Sequence, residues 1–318
     1  MPAATPILTW HWVAFIGSVL VYVLLDLFVF HRGNRPVTMK NALFWTSVTV
    51  ALALGFAGLL LPWRGREEAT EFLTGYIIEL SLSMDNVFVI ALIFAYFQVP
   101  TEYQHRVLFF GFIDALIMRG TFIALGTVVV AKFHWVLYLL GLLLLFSGVK
   151  MMFSKQEGIE PEKNPLIRLA RRIFPVAPSF DGARFFTRLN GRLALTPLAI
   201  VLLAVESADL VFAIDSIPAI FSITNKPFII FTSNIFAILG LRSLYFVLVG
   251  ALEYFRYLKF GLALVLVFVG LKMLGEKLVH ISASTSLVIV GAIILVSILL
   301  SVFRVKHEHP PKPTGPTP

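Results

Sequence analysis

Long apolar stretches separated by short polar ones dominate the pattern of this chain. Each stretch is long enough to cross the roughly 30 Å hydrocarbon core of a bilayer as an α-helix. The pattern predicts an all-α integral membrane protein with about nine transmembrane helices. The nine runs cover roughly residues 11–30, 42–61, 72–97, 107–130, 134–153, 193–221, 227–252, 257–274 and 284–303.

The composition supports this class of protein. Of the 318 residues, 58% are hydrophobic and 14% are charged, whereas roughly a quarter of the residues in soluble domains are charged. The chain has no cysteine, which excludes disulfides, thiolate metal ligands and thiol redox chemistry. The first 31 residues carry no Lys or Arg, so the first run is interpreted as a retained helix and not as a cleaved signal peptide.

The net charge of +8 has a simple interpretation in a membrane protein. If the N-terminus is outside, most of the Lys and Arg residues fall in the loops on the cytoplasmic side and in the C-terminal tail. This distribution follows the positive-inside rule. It predicts a multi-pass protein of a bacterial-type inner (cell) membrane, with its N-terminus outside and its C-terminus in the cytoplasm. The basic residues are therefore interpreted as topology signals and not as a nucleic-acid surface.

Two of the apolar runs contain several carboxylates each, which a membrane tolerates poorly. One acid at the centre of a spanning helix costs about 2.5–3.5 kcal/mol on insertion scales, so five would cost on the order of 12–17 kcal/mol. Such residues are rare and usually functional, and we predict that they form an intramembrane cation site. The predicted ligands are Glu79, Asp85, Glu206, Asp209 and Asp215, with Asn86 and Ser216 as additional neutral oxygen donors.

The two acidic stretches resemble each other, and they are one of three matched landmarks. In each stretch an acid is followed six positions later by Asp and a short polar residue. Matching motifs around the arginines of spans four and seven, and around a Phe-x-Gly-x-Lys-Met pattern in spans five and eight, occur in the same order. These matches predict a duplication of spans 3–5 as spans 6–8. Because three spans is an odd number, the copies must be inverted, as in many secondary transporters.

This repeat organises a single polytopic domain over residues 1–318. The linker is basic, contains four prolines and is expected to hold one short amphipathic helix near Leu166–Phe174. The predicted segments are an N-terminal two-helix segment at 1–70, repeat 1 at 71–153, a basic cytoplasmic linker at 154–192, repeat 2 at 193–275, a last helix at 276–303 and a disordered tail at 304–318.

Helix geometry raises a difficulty for the second repeat. Six residues correspond to a rotation of about 600°, so Asp209 and Asp215 point in different directions on an unbroken helix. Pro218 lacks an N–H and is therefore expected to break the helix and free backbone carbonyls as further ligands. Hard oxygen donors favour Mn²⁺, Mg²⁺ or Ca²⁺.

Two arginines, Arg119 and Arg242, lie within spans four and seven. They can balance the charge of the acids in either of two ways. Each can pair with a carboxylate when the metal is absent, or each can form a purely structural salt bridge between helices. The residues leave both interpretations open.

Three motifs carry a resemblance to a known family: Glu-x5-Asp-Asn-Val-Phe at 79–88, Glu-x2-Asp-x5-Asp-Ser-Ile-Pro-Ala-Ile at 206–220 and Thr-Ser-Asn-x-Phe-Ala-Ile-Leu-Gly-Leu-Arg at 232–242. The chain resembles the TerC family, and specifically its Alx-like branch, over nearly its whole length. The resemblance implies a polytopic inner-membrane protein of a family that is named after tellurite resistance, in a branch linked to manganese efflux. It also implies that the five acids named above are those that matter for export.

One position departs from the family pattern. Asp114 stands where relatives usually have a small residue, often Gly. It either pairs with Arg119, five residues further on, or adds a sixth acid to the site. Both alternatives change the net charge of the site, so the metal that the resemblance implies cannot simply be assigned to this chain.

These observations lead to a functional expectation. We expect a secondary transporter, not an enzyme, that exports a divalent cation, with Mn²⁺ first and Ca²⁺ or Mg²⁺ as alternatives. The coupling ion is expected to be H⁺, and no cofactor is expected to be permanently bound. The other expected contacts are with the lipid bilayer; nucleic acid is not expected as a partner, and the oligomeric state stays open.

Two other functions compete with transport. One is a membrane-embedded partner that delivers metal to secreted or membrane enzymes without large flux. The other is a redox or tellurite-resistance factor, which the absence of cysteine and of any cofactor motif disfavours.

Overall fold

The computed structural model describes residues 7–30, 38–153, 164–189, 191–249, 258–275, 279 and 281–308. The described chain is mostly helical, at 83%. The helices are α1 (Thr9–Phe30), α2 (Met39–Arg64), α3 (Arg66–Tyr96), α4 (Thr101–Lys132), α5 (Val136–Phe153), α6 (Pro165–Ile173), α7 (Pro197–Phe221), α8 (Pro227–Val249), α9 (Leu258–Leu274) and α10 (Ala283–Glu308).

Six of the described helices are long and apolar enough to cross a membrane. The number rises to seven if the two parts of α8, Pro227–Leu241 and Ser243–Val249, are counted as one span bent by 52°. Near this bend the hydroxyl of Ser243 donates to the carbonyl of Gly240, and Gly/Ser pairs commonly accompany helix kinks. A mostly helical fold with six or seven candidate spans among the described residues is thus confirmed, whereas nine spans stays a prediction.

The sequence explains where several helices begin. Thr196 accepts a hydrogen bond from the backbone N–H of Ala199 and is followed by Pro197 at the first helical position of α7. Asn164 caps α6 in the same way, with Pro165 after it. Both arrangements combine an N-cap side chain with a proline that needs no donor. The short helix expected in the linker is therefore confirmed.

Three details of the prediction were wrong. The helix does not break at Pro218, because α7 continues to Phe221. Pro218 lies in the last turn, where its missing N–H costs one bond, to the Ile214 carbonyl, and the helix ends soon afterwards. The residues 304–308 are helical rather than disordered, since α10 runs to Glu308 and the next helix breaker is Pro310.

The third correction concerns the linker. Its end and the start of the predicted repeat 2 form an antiparallel hairpin, β1 (Phe186–Leu189) and β2 (Arg192–Leu195). Gly191, with φ of 78°, supplies the left-handed backbone that the tight connection requires. The apolar residues 193–195 therefore belong to a strand, and α7 begins only at Pro197.

Helices α5 and α9 pack against each other far more extensively than either packs on any other helix. Glycines make this contact close. A Cβ on Gly148 would lie 2.8 Å from the Ala263 carbonyl oxygen, and a Cβ on Gly270 would lie 2.8 Å from the Gly141 carbonyl oxygen. The rest of the bundle is built around α3, which packs on α2, α7, α8 and α10.

Candidate cation site

A buried arginine joins the two central acids. One guanidinium nitrogen of Arg119, on α4, forms an ion pair with Glu79 on α3, and the other terminal nitrogen lies 3.3 Å from Asp209 Oδ1 on α7. The Arg119 and Glu79 side chains are 1% and 2% exposed, and that of Asp209 is 15% exposed. We call Glu79 and Asp209 the central pair. Arg119 thus contacts both members, which occupy matched positions in the predicted repeat.

Five polar oxygens of α3 and α7, two of them in the central pair, are buried without a hydrogen-bond partner among the described residues. Three come from α3, where Glu79, Ser83 and Asn86 share one face at intervals of four and three residues. Two come from α7, where Asp209 and Ser216 are seven residues apart and also share a face. The unpartnered atoms are Glu79 Oε2, Ser83 Oγ, Asn86 Oδ1, Asp209 Oδ2 and Ser216 Oγ.

Unpartnered buried oxygens are uncommon and need an explanation, such as a bound ion or water. The side-chain amide nitrogen of Asn86 does not satisfy these oxygens, because it donates to the other oxygen of Asp209, Oδ1, over 3.1 Å. A cavity of about 40 Å³ adjoins Asn86 and Asp209; it has room for a water or a small cation, although the rest of its lining is mostly apolar. This set of carboxylate, amide and hydroxyl oxygens suits a hard divalent cation. Ser83 was not predicted, although its spacing from Glu79 could have indicated it.

On unbroken helices, Asp85 and Asp215 lie about 120° around the helix axis from Glu79 and Asp209. The hydroxyl of Ser147 on α5 donates to Asp215 Oδ1 over 2.6 Å, and Lys150 also acts on Asp215 electrostatically. Lys259 on α9 acts in the same way on Asp85. The α5–α9 pair therefore has polar interactions with both aspartates in addition to its apolar packing on the bundle.

The two groups of acids are nevertheless neighbours. Asp85 and Asp215 line one small cavity together with Arg119, Asn86 and Ser216. Ser147 and Lys150 had not been identified as contacts of the site, because helix packing, not local sequence, brings α5 to α7.

Asp114 and Glu206 form a third part of the site, between α4 and α7. Asp114 lies close enough to Asp209 and to Glu206 for the negative charges to repel one another. Arg119 directs its terminal nitrogens to Glu79 and Asp209, so, of the two alternatives for Asp114, the pairing with Arg119 is not formed. Asp114 instead stands beside the predicted acids.

The structure thus distributes the predicted acids over three adjacent groups. Within the described residues, no three acids or histidines are close enough to hold a metal ion together. The side chain of Arg242, the other predicted charge-balancing residue, lies outside the described residues. The ligand set therefore stays a prediction.

A separate polar cluster, which the sequence analysis missed, joins the start of α3 to the start of α8. The ammonium of Lys226 lies 3.3 Å, 3.6 Å and 3.1 Å from carboxylate oxygens of Glu67, Glu68 and Glu71. Thr224 donates to Glu71 over 2.9 Å. Burial lowers the pKa of Lys226, but the attraction of the three carboxylates outweighs it and raises that pKa above its usual 10.5.

The fold and the buried carboxylates define a polytopic helical membrane protein with a polar centre. Comparison with known proteins gives its family: residues 64–309 match the integral membrane protein TerC family. The chain belongs to the TerC family, as its motifs had indicated.

Several relatives cover almost the whole chain. The chain is 47% identical over 297 residues, 93% of both chains, to the uncharacterized membrane protein STKORF319 of Myxococcus xanthus. It is 42% identical over 314 residues, 96% of this chain and 97% of the relative, to the Escherichia coli (strain K12) protein named Alx and described as a membrane-bound redox modulator. An uncharacterized membrane protein of Rickettsia felis is 38% identical over 293 residues, covering 92% of this chain and 97% of its own. No solved structure matches the chain.

Proposed function

We propose that this protein exports a divalent cation, Mn²⁺ in the first instance, across the bacterial inner membrane by secondary transport. One observation carries the proposal: five buried oxygens from α3 and α7, two of them from the central pair of carboxylates, lack hydrogen-bond partners among the described residues. Oxygen donors of this kind bind Mn²⁺, Mg²⁺ or Ca²⁺. Burying such groups inside a membrane protein costs free energy, and groups that are kept in spite of this cost usually have a function.

In this proposal, the positive charge of Arg119 neutralises the central pair when no cation is bound. Its guanidinium lies between Glu79 and Asp209, so a dication that binds both carboxylates has to displace it. This competition favours the interpretation that the arginine pairs with the acids when the metal has left. Asn86 and Ser216 then provide additional neutral oxygen ligands. Asp85 and Asp215 line the adjacent cavity, which in this proposal is the next position of the cation on its way across the membrane.

The packing of α5 on α9 supports the inverted repeat on which this mechanism depends. A Cβ on Gly148 would meet Ala263 and Val267, and a Cβ on Gly270 would meet Gly141 and Leu145. The matched motifs of spans five and eight are about 122 residues apart in the chain. If each α5 residue is replaced by its counterpart in α9, and each α9 residue by its counterpart in α5, the first set of contacts becomes the second. Contacts that map onto each other in this way are expected of two helices related by a two-fold axis in the membrane plane.

The same packing suggests which part moves. Helices α5 and α9 pack mainly on each other, and they meet Asp215 and Asp85 through Ser147, Lys150 and Lys259. In this proposal, a cation at Asp85 and Asp215 weakens those polar contacts and lets the α5–α9 pair move as a unit. Protons can bind the same carboxylates, which makes H⁺ the proposed coupling ion.

A redox role is suggested by the description of the Escherichia coli relative. With no cysteine in the chain, any redox effect has to act without thiols. A change in cellular Mn²⁺ is one such indirect route, so the description is compatible with metal transport.

The experiment is a flux assay in proteoliposomes with Mn²⁺ on one side and a pH-sensitive dye inside. The variants are Asp85→Asn and Asp215→Asn, and the control is Asp181→Asn in the exposed segment before the hairpin. Mn²⁺ movement with opposite proton movement, lost in both variants and kept in the control, is the expected result. Mn²⁺ binding without flux in the wild type would overturn transport and favour the metal-delivery alternative.

A further inference from the structure

The segment before α7 forms a small, ordered unit that the transport mechanism does not use. We call α6, the hairpin β1–β2 and the chain between them the basic platform (residues 164–189 and 191–195). Its interior is tied together by backbone bonds: the Leu195 N–H donates to the Pro175 carbonyl over 2.9 Å, and the Ala177 N–H donates to the Leu195 carbonyl over 2.8 Å. The platform is therefore built to present its outer side chains in fixed positions.

Helix α6 has two distinct faces. Ile167 is fully buried against the protein, whereas Leu166, Leu169 and Ile173 are 40%, 52% and 62% exposed. These three residues are spaced by three and four positions and form one apolar stripe beside the buried face. Exposed arginines, Arg168, Arg171 and Arg172, occupy the other side of the helix.

The hairpin repeats this combination. The two residue pairs nearest its turn each place an arginine opposite a leucine, Arg188 opposite Leu193 and Leu189 opposite Arg192. Both leucines are exposed, at 36% and 52%, and both arginines are exposed. Because successive pairs face opposite sides of the hairpin, each face carries one leucine beside one arginine; the leucine on the face towards the bilayer can enter its edge while the arginine extends to the headgroups.

The platform lies level with the beginning of a membrane-spanning helix. The Arg106 guanidinium, in the second turn of α4, lies 5.2 Å from the centre of the Phe185 ring. The ring of Phe110, one turn further into α4, also lies 5.2 Å from that of Phe185. Because α4 is one of the candidate spans, these contacts hold the base of the hairpin beside the first turns of that span.

We infer that the basic platform binds anionic phospholipid headgroups of the adjacent leaflet, with its exposed leucine and isoleucine side chains inserted beneath them. Charge complementarity favours this partner: the platform combines six exposed arginines with an apolar edge, which is typical of helices that lie on anionic membranes. The inference does not depend on the proposed transport of Mn²⁺.

The test uses the full-length protein in nanodiscs of phosphatidylglycerol or of phosphatidylcholine. Hydrogen–deuterium exchange of the α6 and hairpin peptides is measured at low and at high salt. We expect slower exchange in phosphatidylglycerol at low salt, by about fivefold for each arginine that contacts the surface, and a smaller difference at high salt.

Matched variants separate lipid binding from general folding. The double variant Arg171→Gln/Arg172→Gln should lose most of the lipid dependence, whereas Arg66→Gln/Lys132→Gln, which removes two exposed charges outside the platform, should keep it. Exchange in peptides of α3 and α7 reports whether each variant is folded. Equal exchange of the wild-type platform in both lipids at low salt would overturn the inference and point to a protein partner instead.

Discussion

Replacing Arg119 tests whether the central pair is a cation site. The Arg119→Gln change removes the positive charge between Glu79 and Asp209 and leaves both carboxylates in a nearly dry environment. Breaking a buried ion pair by removing one partner costs about 3–5 kcal/mol. We therefore expect the free energy of unfolding of the variant to fall by this amount without added divalent cation.

Mn²⁺ should restore much of this loss, because the vacated position between the carboxylates suits a dication. A ligand at 100 times its dissociation constant stabilises a protein by about 2.7 kcal/mol. The assay is equilibrium unfolding in mixed micelles with and without Mn²⁺. We expect the added stability from Mn²⁺ to be larger in Arg119→Gln than in the wild type, where the arginine competes with the metal.

An exposed ion pair provides the control. Arg184 lies 3.7 Å from Asp181, with side-chain exposures of 73% and 43%, and such pairs contribute up to about 1 kcal/mol. Arg184→Gln should thus have little effect and no dependence on Mn²⁺. If Arg119→Gln is destabilised but Mn²⁺ stabilises it no more than the wild type, the central pair does not bind the metal. If the variant is as stable as the wild type, the argument from burial itself is refuted.

Three further predictions concern other parts of the molecule. Gly270→Ala should lower stability by about 1–3 kcal/mol, because its Cβ would lie 2.8 Å from backbone atoms of α5, whereas Gly55→Ala has open space and should be neutral; equal thermal unfolding of both would contradict this packing. The pKa of Lys226 is raised in the folded protein, so its stabilising effect should be present below pH 10.5 and be lost as the pH rises through the folded value. Lys226→Gln should flatten that alkaline decline in an unfolding titration, and an unchanged slope would refute the assignment. Asp114→Gly should leave Mn²⁺ flux intact but raise its KM, because a negative charge beside Glu206 and Asp209 is removed; an unchanged KM would separate Asp114 from the path.

The helices, and the presence of acids within them, could be predicted from the sequence because both depend on the local free-energy cost of placing a side chain in a membrane. Apolar runs specify spans almost independently of their neighbours, and a carboxylate within such a run is conspicuous whatever it contacts. The rotation between Asp209 and Asp215 was also predictable. The wrong step was the helix break at Pro218, since a proline in the last turn of a helix costs a single hydrogen bond.

Contacts between distant segments could not be predicted in this way. The Ser147–Asp215 bond, 68 residues apart in the chain, and the three acids around Lys226 depend on how helices pack. The hairpin at 186–195 was missed because its second strand is short and apolar, and such a run cannot be distinguished from the start of a helix by periodicity alone.

The most direct test of the account is to locate the metal. Anomalous X-ray scattering at the manganese absorption edge, from crystals grown with Mn²⁺, shows its position without reference to any transport assay. The account predicts a peak at coordination distance, about 2.0–2.6 Å, from oxygens of Glu79, Asp209 and Asn86, with the Arg119 guanidinium displaced. Peaks confined to exposed carboxylates such as Glu67 and Asp181, with Arg119 still paired to both acids, would contradict it.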